Sequence, residues 1–165
     1  KARTTLLRDL GAAMSPFNAF MFIQGLETLA LRMKEHSKNG AMVAEFLQNH
    51  PKVERVSHPS VADGFKKERA DNYLNGGCGG LMGFEIKGGL ESGKKFIESL
   101  EMFYHVANIG DSKSLAIHPA STTHSQLNEE ELLSGGVSPG YIRLSIGLEH
   151  IDDILEDLGN ALDNS

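Results

Sequence analysis

The residues able to do chemistry gather in the C-terminal third of the sequence. In YIRLSIGLEH, residues 141–150, a single arginine, Arg143, stands inside an alternating apolar pattern that reads as a half-buried strand. Because Ile142 and Leu144 flank it, its side chain can face the opposite side of a sheet and offer a rigid fork of donors to a carboxylate. The competing reading is an ion pair with an acidic residue of the same domain. Upstream lies ANIGDSKSLAIHPASTTHSQL, residues 107–127. It combines glycine, proline and small hydroxyl residues directly after a predicted strand, and backbone groups of such segments can line a pocket. The Asn108–Ile109 pair opens it.

Other candidates carry less. A phosphate cradle should follow a strand and open a helix, whereas GGCGG, residues 76–80, precedes a strand and reads as a turn. Cys78 would need a neighbouring histidine to act as a nucleophile, and nothing in its surroundings supplies one, so it reads as a passive small residue. The seven histidines show no HExxH or comparable spacing. His118 and His124 would not align on one helix face, so no metal is expected. Met14, Met21, Met33 and Met42 read as core filler.

These residues must be held by something, and the chain is long enough to hold them. It has 165 residues, with 40% hydrophobic and 23% charged, values of an ordinary globular domain. No apolar run reaches the ~20 residues needed to cross a bilayer, so no membrane is expected as partner. The formal charge is -6 and the 16 basic residues are scattered, which argues against nucleic acid. A single cysteine suits a reducing, cytoplasmic setting. The opening KARTTLLRDL has no secretory character and no initiator methionine, so a fragment or processed product is expected.

Periodicity then predicts the elements. Ser15 before Pro16 marks a helix start. From Phe17 to Leu26 the helix is apolar almost all round and asks for burial on several sides. Gly25 and Thr28 suggest a break before an amphipathic helix that stops ahead of Pro51. Strands are predicted over Val53–His58, Leu81–Lys87, FYHVANI and the stretch around Arg143. Helices are predicted in LESGKKFIESL and HIDDILEDLGNAL, with a short helix or ordered loop in DGFKKERADNYL. Residues 110–140 read as one long loop. The result is an α+β unit with about four short strands covered by helices. Residues 1–50 form a linking helical segment and 51–165 the α+β domain.

Several long motifs recur in order: LRDLGAAMSPFNAFMFIQGLETLALRMKEHSKNG, SLAIHPASTTH and GYIRLSIGLEHIDDILEDLGNAL. Through them nearly the whole chain resembles the C-terminal part of the Cys/Met-metabolism family of pyridoxal-phosphate enzymes, the cystathionine gamma-synthase-like branch of the type I aminotransferase fold. NIGDSKSL and ASTTHSQL look most like the O-acetylhomoserine sulfhydrylase group. The resemblance implies a small C-terminal domain of that fold, with an upstream cofactor-binding domain absent. It also implies that the arginine of the family's RLS motif, here Arg143, binds the substrate α-carboxylate, and that Asn108 and Ile109 occupy the place of a Ser-Leu pair beside it. The serine is replaced, so only a backbone or amide contact carries over. Lys113 stands where cystathionine enzymes carry glutamate.

The Schiff-base lysine of the family has a Ser-x-Thr-Lys context that occurs nowhere in this sequence. No catalytic residue and no covalently held pyridoxal phosphate are therefore expected in this chain alone. The full-length enzyme is expected to use pyridoxal phosphate, an amino-acid substrate and sulfide, with acetate leaving the γ-carbon and homocysteine as product. The resemblance further implies a homotetramer. A methionine or cystathionine γ-lyase of the same family and a stand-alone non-catalytic interaction domain remain the alternatives.

Overall fold

The computed structural model describes the backbone of residues 1–165 and all side chains except that of Glu129. The chain divides into two compact units, Lys1–Arg32 and Met33–Ser165. The first holds a π-helical turn at Ala2–Leu7, a short helix α1 at Arg8–Leu10, and α2 at Pro16–Glu27. Ser15 caps α2 by accepting the Asn18 N–H at 3.2 Å, with Pro16 in the first turn where its missing N–H costs nothing. Thr28 interrupts the helix, and α3 follows at Leu29–Asn49. The Arg32 guanidinium spans the interruption by donating to the Gly25 carbonyl at 2.6 Å. No residue of α2 is buried, although Phe17, Phe20, Phe22, Ile23 and Leu26 are all apolar.

The second unit is built on a five-stranded sheet of order β1-β2-β5-β4-β3. Its strands are β1 Val53–Ser57, β2 Leu81–Ile86, β3 Tyr104–His105, β4 Leu115–Ile117 and β5 Tyr141–Ser145. Only β3 and β4 run parallel; the other neighbours are antiparallel. Helices α4 Gly64–Tyr73, α5 Gly89–Ser99, α6 Glu129–Ser134 and α7 Ile151–Asp163 join or cover the strands. One apolar cluster unites Met82, Phe84, Ile142 and Leu144 of the sheet with Val43 and Leu47 of α3, Phe96 of α5 and Leu158 of α7. The stripe His36, Asn39, Gly40, Val43, Ala44 and Leu47 is the buried face of α3 and follows the helical repeat.

The α+β class stands, with two differences from the strand pattern expected above. FYHVANI forms ladder only at Tyr104–His105, because Val106 and Asn108 donate backwards to the carbonyls of Tyr104 and Val106 at 3.0 and 3.2 Å. Such tight turns take the chain out of the ladder. The long 110–140 loop also contains β4, a 3-10 turn at Pro119–Ser121 and α6, so the sheet has five strands rather than about four. The methionine expectation is corrected as well: Met14, Met21, Met33 and Met42 are exposed. The first two lie in the unit without buried side chains, Met33 lies one turn short of the buried stripe of α3, and Met42 lies beside it.

Among the described residues, buried side-chain polar atoms are paired except Asn39 Oδ1. Asp157 accepts the N–H groups of Glu101, Met102 and Phe103 at 2.9, 3.0 and 3.4 Å, which seals the turn between α5 and β3. His118 lies between the Ser121 hydroxyl at 2.9 Å and the Pro139 carbonyl at 2.7 Å, so Nε2 carries the proton and Nδ1 accepts. His58 repeats this with Ser60 at 2.7 Å and the Gly79 carbonyl at 3.3 Å.

Two outcomes follow from this packing. Burial pushes both His58 and His118 below the ordinary histidine value, the carbonyl contacts opposing it and Lys94 and His105 adding to it at His118. The unfolded chain therefore takes up these protons first, on descending through about pH 6.5, and stability falls as pH falls in that window. The melting temperature should be level above about pH 7 and decline as pH falls below about 6.5; a constant midpoint on that descent would contradict the burial of neutral imidazoles. Independently, the uncovered apolar side chains of α2 should make the isolated chain self-associate. Light scattering is expected to show oligomers that Phe20→Glu with Ile23→Glu reduces, and a strict monomer before substitution would count against it.

Candidate functional site

Strand β5 places the site through its alternation. Ile142 and Leu144 are fully buried in the core, so Tyr141, Arg143 and Ser145 face the other side of the sheet. Arg143 pairs in register with Gly83 of β2 and Ile117 of β4. Gly83 has no side chain to cover it, and the Tyr141 ring crosses its Cα. On this face Arg143 is half-buried and makes no hydrogen bond or ion pair with another side chain among the described residues. The acidic neighbour on the same face, Glu85, is opposite Tyr141 and is engaged by the Ser138 hydroxyl and by Arg55 at 3.7 Å. The ion pair that could have explained Arg143 structurally goes to another arginine.

Asn108 and Ile109 lie on the segment between β3 and β4, and both are exposed. Asn108 Oδ1 accepts the Ile109 N–H at 2.9 Å, which turns the amide nitrogen away from the backbone. The next residue, Gly110, has φ +76°, a left-handed value that favours glycine, and donates its N–H to Ser145 Oγ at 3.2 Å. Farther on, the segment is fastened past the end of β5. Leu148 donates to the Ser112 carbonyl at 2.8 Å, while the Glu149 carboxylate accepts the Ser114 N–H at 2.7 Å and its hydroxyl at 2.9 Å. The Gly147 N–H in turn reaches Ser114 Oγ at 2.9 Å. A Cβ at Gly147 would stand 2.5 Å from the Ser112 carbonyl oxygen, so the two backbones approach as closely as glycine permits.

Lys113 is directed to the sheet edge. Its Nζ donates to the Tyr104 hydroxyl at 2.6 Å and lies 4.3 Å from the ring centroid. That hydrogen bond raises the lysine above its ordinary range. No group of three or more His, Cys, Asp or Glu side chains suited to a metal ion occurs among the described residues. GGCGG forms the turn leading into β2, pinned by Ser37 Oγ accepting the Gly79 N–H at 3.1 Å. Two clefts, of about 440 and 250 Å³, occur: one beside Phe46 and Leu155, the other between Arg55, Lys66, Gly83, Glu85 and Tyr141, next to Arg143 along the sheet. Neither is lined by Arg143, Asn108 or Ile109.

Sequence reading singled out Arg143, Asn108 and Ile109, and the fold brings their elements together through Ser145. It did not single out Ser145, Ser114, Gly147 or Glu149. The only signal for the first was its position two residues beyond Arg143, which in a strand means the same face. Nothing local marked the Ser114–Glu149 pairing, which joins residues 35 apart.

Residues 1–163 match the family described as Cys/Met metabolism PLP-dependent enzyme. The chain is 59% identical to the O-acetyl-L-homoserine sulfhydrylase of Leptospira meyeri over 99% of its own length and 37% of that protein's. It is 46% identical to O-acetyl-L-homoserine sulfhydrylase 1 of Thermus thermophilus, covering 98% of this chain and 38% of that one. A Campylobacter jejuni crystal structure described as an O-acetylhomoserine (thiol)-lyase, with N'-pyridoxyl-lysine-5'-monophosphate, superposes with a TM-score of 0.87 at 46% identity. That match covers 98% of this chain and 38% of the other. The chain thus spans well under half the length of the relatives it matches.

The close approach at Gly147 is open to direct test. Gly147→Ala should push the 112–113 backbone away and cost about 1–3 kcal/mol in denaturant unfolding, as overpacking typically does. A loss below about 0.5 kcal/mol, the range of an ordinary surface substitution, would show that this contact is loose.

Proposed function

We propose, from the premise that the chain belongs to the Cys/Met metabolism PLP-dependent enzymes, that it is the substrate-recognition part of an O-acetylhomoserine sulfhydrylase. In this reading it is the small C-terminal domain of a type I aminotransferase fold, with residues 1–50 leading in from a cofactor-binding domain. The whole enzyme would replace the acetyl group on the γ-carbon of O-acetylhomoserine with sulfide and release homocysteine for methionine biosynthesis. The names of the similar sulfhydrylases support this over a methionine or cystathionine γ-lyase. A cytoplasmic homotetramer completes the reading on family likeness.

The observation that carries the proposal is the Arg143 guanidinium on the sheet face opposite the core, which has no acidic partner among the described residues. A half-buried arginine without an acidic partner keeps its directed donors available, and a carboxylate accepts two of them in parallel. Arg143 would hold the substrate's α-carboxylate, and the Asn108 amide with the Ile109 side chain would bound the pocket beside it. Fixing the carboxylate sets the rest of a small amino acid in one orientation, so misplacement would reduce turnover as well as affinity.

The residues of this chain do not fit a covalently held cofactor. No described lysine is buried, and Lys38, Lys52, Lys67, Lys87, Lys94 and Lys113 already donate to protein oxygens. Pyridoxal phosphate would therefore be held by residues of the longer protein, and this chain's part is confined to binding and orienting the substrate.

Substitution at Arg143 in the full-length enzyme tests this. Lysine keeps the charge but not the two-pronged fork, and alanine loses both, so substrate affinity should fall in the order arginine, lysine, alanine. The alanine loss should be about 1.5–3 kcal/mol, roughly one to two powers of ten in binding. Cofactor content and melting temperature should change little. A fall in melting temperature with unchanged substrate affinity would assign Arg143 to the fold instead.

A further inference from the structure

We propose that Ser145 is a positioning residue for substrate recognition, locking the Asn108–Ile109 segment to the strand that carries Arg143. The inference rests on the reading of Arg143, Asn108 and Ile109 given above and adds a residue that touches none of the substrate itself.

Ser145 ends β5, two positions beyond Arg143 on the same sheet face, so their Cα atoms are roughly 7 Å apart along the strand. Its side chain is almost fully buried, at 4% exposure. A buried hydroxyl must spend its hydrogen-bonding capacity inside the protein, and Ser145 Oγ accepts the N–H of Gly110 at 3.2 Å. Among the described residues this is the only hydrogen bond joining residues 107–111 to β5. The other bonds of the segment are local: Asn108 to the Val106 carbonyl, Ile109 to Asn108 Oδ1, and Lys113 to Asp111 Oδ1. The fastening through Ser112, Ser114 and Glu149 lies farther along and beyond the end of the strand.

Gly110 makes the bond possible. At φ +76° it donates its N–H to the Ser145 hydroxyl on the face that carries Arg143, and Asn108 and Ile109 are the two residues directly before it. Two recognition elements on different segments act together only if their separation is fixed, and here one hydroxyl fixes it. Serine suits the position because its oxygen stands close to the strand, while the flanking Leu144 and Ile146 remain in the core. Removing the oxygen leaves Gly110 N–H without its partner and lets residues 107–111 drift from β5 while Arg143 stays in place.

The test uses the full-length enzyme with Ser145→Ala, Ser145→Thr and Asn108→Ala, alone and with Ser145→Ala combined with Asn108→Ala. Ser145→Ala should raise KM for the amino-acid substrate about fivefold, the equivalent of one neutral hydrogen bond, with a smaller effect on kcat. Ser145→Thr, which retains the acceptor, should recover most of that loss. The double variant should be no worse than the more damaging single one, because the serine acts through the segment that Asn108 occupies. Hydrogen exchange should accelerate at least severalfold in peptides spanning residues 107–111 and stay unchanged in β2 and α7. If Ser145→Ala leaves KM and this exchange unchanged while Arg143→Ala and Asn108→Ala raise KM, the inference is overturned and the site reading survives. If Ser145→Ala speeds exchange but neither Arg143→Ala nor Asn108→Ala alters KM, the site reading fails and the recognition role falls with it.

Discussion

The two-residue repeat of β5 is the constraint from which the site follows. Ile142, Leu144 and Ile146 cannot leave the core without opening cavities against Phe84, Phe96 and Leu158, each such loss costing about 2–5 kcal/mol. Their burial commits Arg143 and Ser145 to the opposite face, since a slip of one residue would send the arginine into the apolar interior. The antiparallel neighbours then decide what surrounds the arginine. Gly83 on one side offers no side chain and Ile117 on the other offers no charge. An ionisable group in that setting either finds a ligand or faces water.

Polar groups around this frame are arranged so that few compete for the arginine. Glu85 is taken by Ser138 and Arg55, Asp157 by three backbone N–H groups, and Glu149 by Ser114. Each carboxylate stabilises a turn or loop next to the sheet, and Glu85, the one on the face of Arg143, is thereby withheld from it. His118 ties the turn after β4 to Pro139, just ahead of β5, so the entry of the strand is held as firmly as its exit. The loop carrying Asn108 is the less anchored side of the candidate site.

Much of this was legible in the sequence because the governing signals are local. Ser15-Pro16 marked the start of α2, Thr28 its interruption, and the alternation about Arg143 gave both the strand and the direction of the side chain. What escaped depends on partners far along the chain. Leu115–Ile117 is too short to show a period and becomes a strand only between β5 and β3. The methionines read as core filler by residue type, yet a helix face is buried only if something packs on it, and no described residue of α2 is buried. Arg143 could be given a face but not a partner, since the engagement of Glu85 elsewhere is a property of three segments brought together.

The central claim is that the Arg143 fork receives a carboxylate from outside the chain. Its most direct test is a crystal structure of the full-length enzyme with an unreactive amino-acid analogue of the substrate. The account predicts the analogue's carboxylate bound by two parallel hydrogen bonds from Arg143, each about 2.7–2.9 Å. A carboxylate seated elsewhere, with Arg143 turned to an acidic side chain of its own sheet, would contradict it.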